Sequence, residues 1–220
     1  MLKQRRGFTM IEVLVTLVIL LFGLLGIAGM MAKGQRAAYE ALQRQQALAM
    51  VADMAERILG NRTQAAAYAT AAPLSQPAGA SYGLYYADLL KSNITNCAGA
   101  NCTAVDLQRY DIAMWEGLML GYSERMVAGT TSVGGILNAN GCIVELANTS
   151  ANCPAAPAAV GNLFTRTMRI SVAWQGSEDS VDPSTISGNT NMTCGNGSGY
   201  RSTTSRRIVA TDINVMQNCP

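Results

Sequence analysis

The sequence predicts an α+β protein in which one long N-terminal helix packs on an antiparallel β-sheet. Three observations carry this. Phe8 to Ala32 form an apolar run whose single charge is Glu12 and which contains no proline. From Lys33 to about Leu59 the pattern becomes amphipathic at helical spacing, without an intervening breaker. Beyond Gly141, short segments alternate apolar and polar side chains as half-buried strands do.

The first seven residues carry Lys3, Arg5 and Arg6, and the apolar run follows at once. At ~1.5 Å per residue that run spans about 37 Å, enough to cross a bilayer with some tilt. The cationic flank keeps residues 1–7 on the cytoplasmic side and sends the C-terminal bulk across. An ordinary secretory signal has a shorter apolar stretch followed by a small-residue cleavage site, and neither property is present. A plain membrane anchor leaves Glu12 unexplained. A carboxylate inside a span costs about 2.5–3.5 kcal/mol on insertion scales, so it needs a partner or a task.

The residues Gly7-Phe8-Thr9-Met10-Ile11-Glu12-Val13-Leu14 resemble the type III signal of type IV pilins and of the pseudopilins of type II secretion. The resemblance implies that a prepilin peptidase cuts between Gly7 and Phe8 and methylates the new amino group of Phe8. It makes Glu12 the fifth residue of the mature chain, where the family carries its glutamate. There the carboxylate is matched to the Phe8 amine of a neighbouring subunit, which fixes subunit register. Loss of the leader would turn the formal charge of +2 into one more acidic than basic side chain, offset by the new amine. Gly23, Gly26 and Gly29, followed by Gly34, interrupt the run. Each costs about 1 kcal/mol in a helix interior relative to alanine, so together they suggest a bendable stretch or small-residue contact surfaces. The Gly23–Met30 segment resembles one branch in particular, the PilV-type minor pilins, the type IV pilus modification proteins.

In the amphipathic continuation, Ala38, Ala41, Leu42, Leu48, Ala49, Ala52, Ala55 and Leu59 recur at helical spacing and are expected to face the head. Glu40–Arg44 and Asp53–Arg57 are i,i+4 pairs on the other face. Gly60-Asn61 is the expected stop, with Pro73 beyond. The chain thus divides into a leader (1–7), a membrane or filament-core helix (8–32), an amphipathic continuation (33–62) and a periplasmic head (63–220).

Within the head, Ala65 to Pro77 is of low complexity and reads as a loop. Asp106 to Leu120 reads as a helix with Val105, Ile112, Trp115, Leu118 and Met119 on one side. Strands are expected at Cys142–Leu146, Phe164–Trp174 and Ile208–Met216. In the second, Met168, Ile170, Val172 and Trp174 form the inward face; in the third, Asp212 breaks the apolar face. Cys97 to Cys102, Tyr110–Trp115 and Val172–Gly176 follow the order expected of PilV-type proteins.

Composition excludes much chemistry. There is no histidine, which removes imidazole bases, imidazole triads and His metal sites. The net charge is too small for a polyanion-binding chain, so nucleic acid is not an expected partner. No nucleophile–base constellation can be named, and no enzymatic activity, cofactor or metal is expected. Asp179 and Asp182, with Glu178, could offer oxygens to Ca²⁺ but lack EF-hand spacing, and a solvated acidic loop is the simpler reading. Arg201, Arg206 and Arg207 form a basic cluster, expected to be solvated or to protect a strand edge.

Six cysteines all lie beyond residue 96, on the side the topology places in an oxidising compartment, and an even count there reads as disulfides. Fifteen pairings are possible and the sequence does not choose among them. Neighbour pairing is the simplest: Cys97–Cys102, Cys142–Cys153 and Cys194–Cys219, the last resembling the C-terminal disulfide loop of many pilins.

The resemblance implies a minor pilin that helps initiate a type IV pilus and sits near its tip, serving pilus biogenesis, twitching motility and adhesion. The implied partners are prepilin peptidase, other minor pilins, the major pilin and the inner-membrane assembly platform. The membrane holds the chain before assembly, and exposed head loops would meet any host or surface ligand. A type II secretion pseudopilin and a membrane-anchored periplasmic adhesin are the alternatives.

Overall fold

A computed structural model of the chain describes residues 7–69, 84–99, 101–122, 134–153, 162–186, 192–196 and 199–219. It is the expected α+β arrangement. Its elements are α1 (Met10–Gly60), α2 (Ala65–Tyr68), α3 (Leu84–Leu90), α4 (Ala104–Met119), β1 (Asn140–Asn148), β2 (Leu163–Gln175) and β3 (Arg206–Asn218). The strands form one antiparallel sheet in the order β1-β2-β3. Contacts divide the chain into two units, Met1–Leu42 and Gln43–Pro220. Residues 1–6 and most of the expected 65–77 loop lie outside the described residues; its start, 65–68, is helical and buries Tyr68.

In the second unit the core is built between helices and one sheet face. Ala47, Val51, Met54, Ala55 and Ile58 of α1 join Ile112, Trp115 and Met119 of α4 against Ile143, Met168, Ile170, Val172, Trp174, Val209 and Val215. The inward face expected for β2 is therefore correct. The opposite face of β2 is also covered at one end, where Cys142, Ala173 and Cys194 form a small second cluster against Ile208.

The head-facing stripe of α1 is rotated from the expected one. Of the eight residues named for it, only Ala55 is buried; Leu48 is 47% and Leu59 46% exposed. The true stripe runs Gln43, Ala47, Val51, Met54, Ala55, Ile58. Val51, Met54 and Ile58 supply most of the apolar area this stripe buries, with the small Ala47 and Ala55 between them, while Leu42, Leu48 and Leu59 stay exposed. In α4, Val105 and Leu118 are likewise exposed, while Gln108, Asp111 and Glu116 are buried. Each of these polar groups has a partner: Gln108 Nε2 donates to the Ala67 carbonyl (2.8 Å) and Glu116 Oε2 accepts from the Tyr86 N–H (2.8 Å). Trp115 Nε1 donates to the Met50 carbonyl at 2.9 Å, tying α4 to α1.

Local chemistry sets the ends of α4. Thr103 caps its start, accepting from the Asp106 N–H at 3.1 Å. Gly121, at φ +68°, closes it: the N–H groups of Gly121 and Tyr122 return to the carbonyls of Leu118 and Gly117. A Cβ there would stand 1.8 Å from the Gly134 carbonyl oxygen, so only glycine fits.

Asp212 does not interrupt the core face of β3. It lies on the other face, opposite Arg169 in register, and the two form a bidentate pair at 2.7 Å. The guanidinium is the main cause that lowers the Asp212 pKa.

All six cysteines are bridged, but two of the three neighbour pairings are wrong. Cys97–Cys102 is present; the others are Cys142–Cys194 and Cys153–Cys219. The reason is strand length. Between Cys142 and Cys153 lies β1, whose six steps from Cys142 to Asn148 extend about 20 Å. Between Cys194 and Cys219 lies all of β3, about 40 Å if fully extended. Disulfide partners need Cα atoms within about 7 Å. Each long strand therefore carries its neighbouring cysteines to opposite ends of the sheet, and each cysteine bonds to the one found at its own end.

Candidate processing and assembly segment

Gly7, Phe8 and Thr9 precede the helix, which begins at Met10. Thr9 ends the non-helical stretch as an N-cap: its carbonyl accepts from Glu12 N–H (3.1 Å) and Val13 N–H (3.4 Å), and its Oγ1 accepts from Glu12 N–H (3.4 Å). Thr9-Met10-Ile11-Glu12 has the spacing of a capping box, and Glu12 places a carboxylate in the first turn, where the helix dipole favours it. The Gly7–Phe8 peptide bond is thus exposed and outside the helical hydrogen-bond ladder, the conformation a peptidase needs.

From Phe8 onward the apolar side chains have no cover from the chain itself. Phe8 is 84% and Met10 92% exposed, and the most apolar 18-residue window of α1 is 0% buried. So much apolar surface requires burial outside the chain, in lipid or among other helices. Glu12 is the lone charge in that surface. The helix runs unbroken through Gly23, Gly26, Gly29 and Gly34, and a Cβ added at any of them would meet nothing within 4 Å. The chain's own packing does not require these glycines; what they offer is close approach to a helix of another molecule.

The other candidates for chemistry resolve into internal contacts. Arg206 is fully buried; its Nη1 donates to the carbonyls of Met192 (2.9 Å) and Cys194 (2.7 Å) and its Nη2 to Asp182 (2.8 Å). Arg201 pairs with Asp179 at 3.2 Å, and Arg207 Nη2 donates to the Glu178 carbonyl at 2.9 Å. Two ion pairs thus join the basic cluster to the acidic loop; Arg206 is buried rather than solvated, while Arg201 and Asp179 stay exposed, as expected of them from the sequence. Asp182 also accepts from Ser184 N–H and Oγ.

The Ser184 N–H first, then the Arg206 guanidinium and the Ser184 hydroxyl, hold the Asp182 pKa down to about 2. A carboxyl with a depressed native pKa contributes fully above its unfolded value near 4 and loses that contribution as pH falls through about 2. Solvent reaches part of the group, so the contribution is ~1 kcal/mol rather than the full ~2. Asp182→Asn is expected to flatten the acid limb of thermal stability between about pH 4 and pH 2. An unchanged acid limb in the variant would contradict this assignment.

One cluster carried no sequence signal as a unit. Asp111, 5% exposed, accepts from Arg57 Nη1 (2.9 Å) and Tyr68 Oη (2.6 Å). Asn61 Nδ2 donates to Tyr68 Oη (3.2 Å) and to the Ala104 carbonyl (2.7 Å). Burial first, then the Asp111 hydrogen bond, raises the Tyr68 pKa well above the usual phenol range. The Asp53–Arg57 spacing was the visible part of it; the long-range partners Asp111 and Tyr68 had no signal in the sequence.

Residues 2–28 match the family described as the prokaryotic N-terminal methylation motif. No curated protein and no solved structure matches the chain. The motif supports a type IV pilin or pseudopilin and, with it, processing by a prepilin peptidase and assembly by pilin machinery.

Proposed function

We propose that this chain is a minor pilin of the type IV pilus, a PilV-type structural subunit that helps initiate assembly and sits at or near the tip. The observation that carries this reading is the exposed, non-helical Gly7–Phe8 bond set directly before a helix whose one apolar-run charge is Glu12. The head's size and the order of its Cys97–Cys102, Tyr110–Trp115 and Val172–Gly176 segments favour a pilus over a secretion pseudopilin.

Before assembly the chain sits in the inner membrane as a single pass with residues 1–7 cytoplasmic and the head periplasmic. Cleavage frees the Phe8 amine, and methylation follows on that nitrogen. Extraction into the filament base replaces lipid around residues 8–32 with other helices. The Glu12 carboxylate then meets the Phe8 amine of a neighbour. The chain performs no catalysis; other minor pilins, the major pilin and the assembly platform are its partners. Through the pilus it serves twitching motility, and exposed head loops carry any adhesion.

Intact-mass measurement of the mature protein tests the first step. Loss of residues 1–7, a gain of one methyl group and a loss of six hydrogens for three bridges are expected. An uncleaved N-terminus, or cleavage well downstream of Phe8, would overturn the reading. Recovery with sheared pili and their minor subunits supports the pilus; recovery only with type II secretion subunits would move the chain to that system.

A further inference from the structure

The two long-range bridges interleave: Cys142–Cys194 opens before Cys153–Cys219 and closes inside it. We propose that a thiol–disulfide isomerase of the compartment that holds the head is an obligatory folding partner of this chain. The inference rests on the reading above, by which residues beyond the apolar helix emerge, N-terminal end first, into an oxidising space.

Consecutive oxidation gives the wrong product. When Cys153 emerges, Cys142 is eleven positions behind it and Cys194 is still forty-one residues from exit. Even in the fully exposed unfolded chain, closure favours Cys142–Cys153 over the 52-residue native separation by about tenfold. It favours Cys194–Cys219 over the 66-residue native separation by about fourfold. Cys97–Cys102, separated by five residues, forms correctly in either case.

The misbridged chain cannot correct itself by folding. A Cys142–Cys153 bond holds two Cα atoms within about 7 Å, while the native sheet sets Cys142 beside Ser171 and Cys153 on Cys219, next to the Leu163–Asn218 end of β2, about 26 Å away. Cys142 and Cys153 cannot both take their native places around it. In the finished head Cys142 and Cys194 are buried against Ala173 and Ile208, so exchange at these sulfurs must precede packing.

Rearrangement needs only an attacking thiolate, which the isomerase supplies. Its thiolate attacks Cys153 Sγ, breaking the Cys142–Cys153 bond, forming a mixed disulfide and releasing the Cys142 thiolate. Cys142 attacks Cys194 Sγ, forming the native bond and releasing the Cys219 thiolate. Cys219 attacks Cys153 Sγ in the mixed disulfide, forming the second native bond and returning the isomerase thiolate. Two bridges enter and two leave, with no net change in electrons.

The test is expression of the full chain in cells with an oxidising periplasm, with and without the periplasmic disulfide isomerase, followed by peptide mapping under non-reducing conditions. Without isomerase, the share of wild-type chains carrying Cys142–Cys194 and Cys153–Cys219 should fall about fivefold or more, with Cys142–Cys153 and Cys194–Cys219 peptides appearing instead. The double variants Cys153→Ser/Cys219→Ser and Cys142→Ser/Cys194→Ser leave only consecutive pairs. The surviving native bridge should then form to within about twofold regardless of isomerase. An equal native share in both strains for wild type overturns the proposal while leaving the pilin reading intact. Fully reduced wild-type chains overturn both. Equal dependence in the double variants also overturns it, since it would trace the effect to general folding assistance.

Discussion

Glu12→Ala is expected to leave cleavage after Gly7 intact and to lower recovery of the chain in sheared filaments by about tenfold or more relative to its membrane pool. Two terms act in the same direction. In the bilayer the carboxylate costs about 2.5–3.5 kcal/mol, so removing it makes the membrane-bound state more comfortable. In a filament of the proposed kind the carboxylate would offset a neighbour's Phe8 amine, and without it that amine would be buried unpaired. A differential of about 2.5–3.5 kcal/mol corresponds to about a hundredfold in equilibrium, so tenfold is a conservative expectation. The variant still folds. Glu12 adds a first-turn charge worth about 0.5 kcal/mol, and the Thr9 contacts that start α1 are made by the Glu12 backbone N–H. Glu12→Gln separates charge from size. It should assemble as poorly as the alanine variant if pairing matters, and as well as wild type if the side chain only fills space. Equal wild-type recovery of both variants would remove Glu12 from the assembly mechanism.

The processing segment was legible because its constraints are local or environmental. A bilayer demands an unbroken apolar run, so residues 8–32 and their lone charge Glu12 stand out in a short window. The inward face of β2 was legible for a similar reason: Met168, Ile170, Val172 and Trp174 alternate with smaller or polar groups. The stripe of α1 was not. Alanine is neutral toward burial, and a line drawn through eight mainly alanine and leucine positions ran along the exposed side, while Val51, Met54 and Ile58 marked the other. Buried polar residues were hidden more deeply. Arg206 and Asp111 are inside only because their partners, contributed from far along the chain, satisfy them. The disulfides occupy a middle position. The strands at Cys142–Leu146 and Ile208–Met216 are legible, but the residues linking them to Cys153 and Cys194 are enough to lead back along either strand, so the pairing follows only from where the sheet places each cysteine.

Asp111→Ala is expected to destabilise the head by about 3 kcal/mol, lowering its midpoint of thermal unfolding by about 6–12 °C. The carboxylate is the only described acceptor shared by Arg57 and Tyr68, and it joins α4 to the end of α1 and to α2. Truncation leaves the Tyr68 hydroxyl buried with only Asn61 as a partner and strips Arg57 of its more buried counter-charge. Leaving such groups uncompensated costs more than the net worth of the bonds removed. Asp53→Ala provides the contrast. It takes the other carboxylate from the same guanidinium, but that carboxylate is an i,i+4 neighbour with 39% of its side chain exposed, so about 0.5 kcal/mol is expected. Tyr68→Phe should fall between, near 1.5 kcal/mol, because it removes a buried donor and leaves Asp111 paired to Arg57. Thermal unfolding of the full chain in detergent, followed by near-ultraviolet circular dichroism, would rank the three. Equal effects for Asp111→Ala and Asp53→Ala would mean that Arg57, rather than the buried carboxylate, organises the junction. The ranking bears on the stability of the head because the Gln43–Gly60 part of α1 belongs to the same compact unit as this network. A network that is desolvated and tied to elements distant in sequence holds that unit together in a way the more exposed, local Asp53 pair cannot.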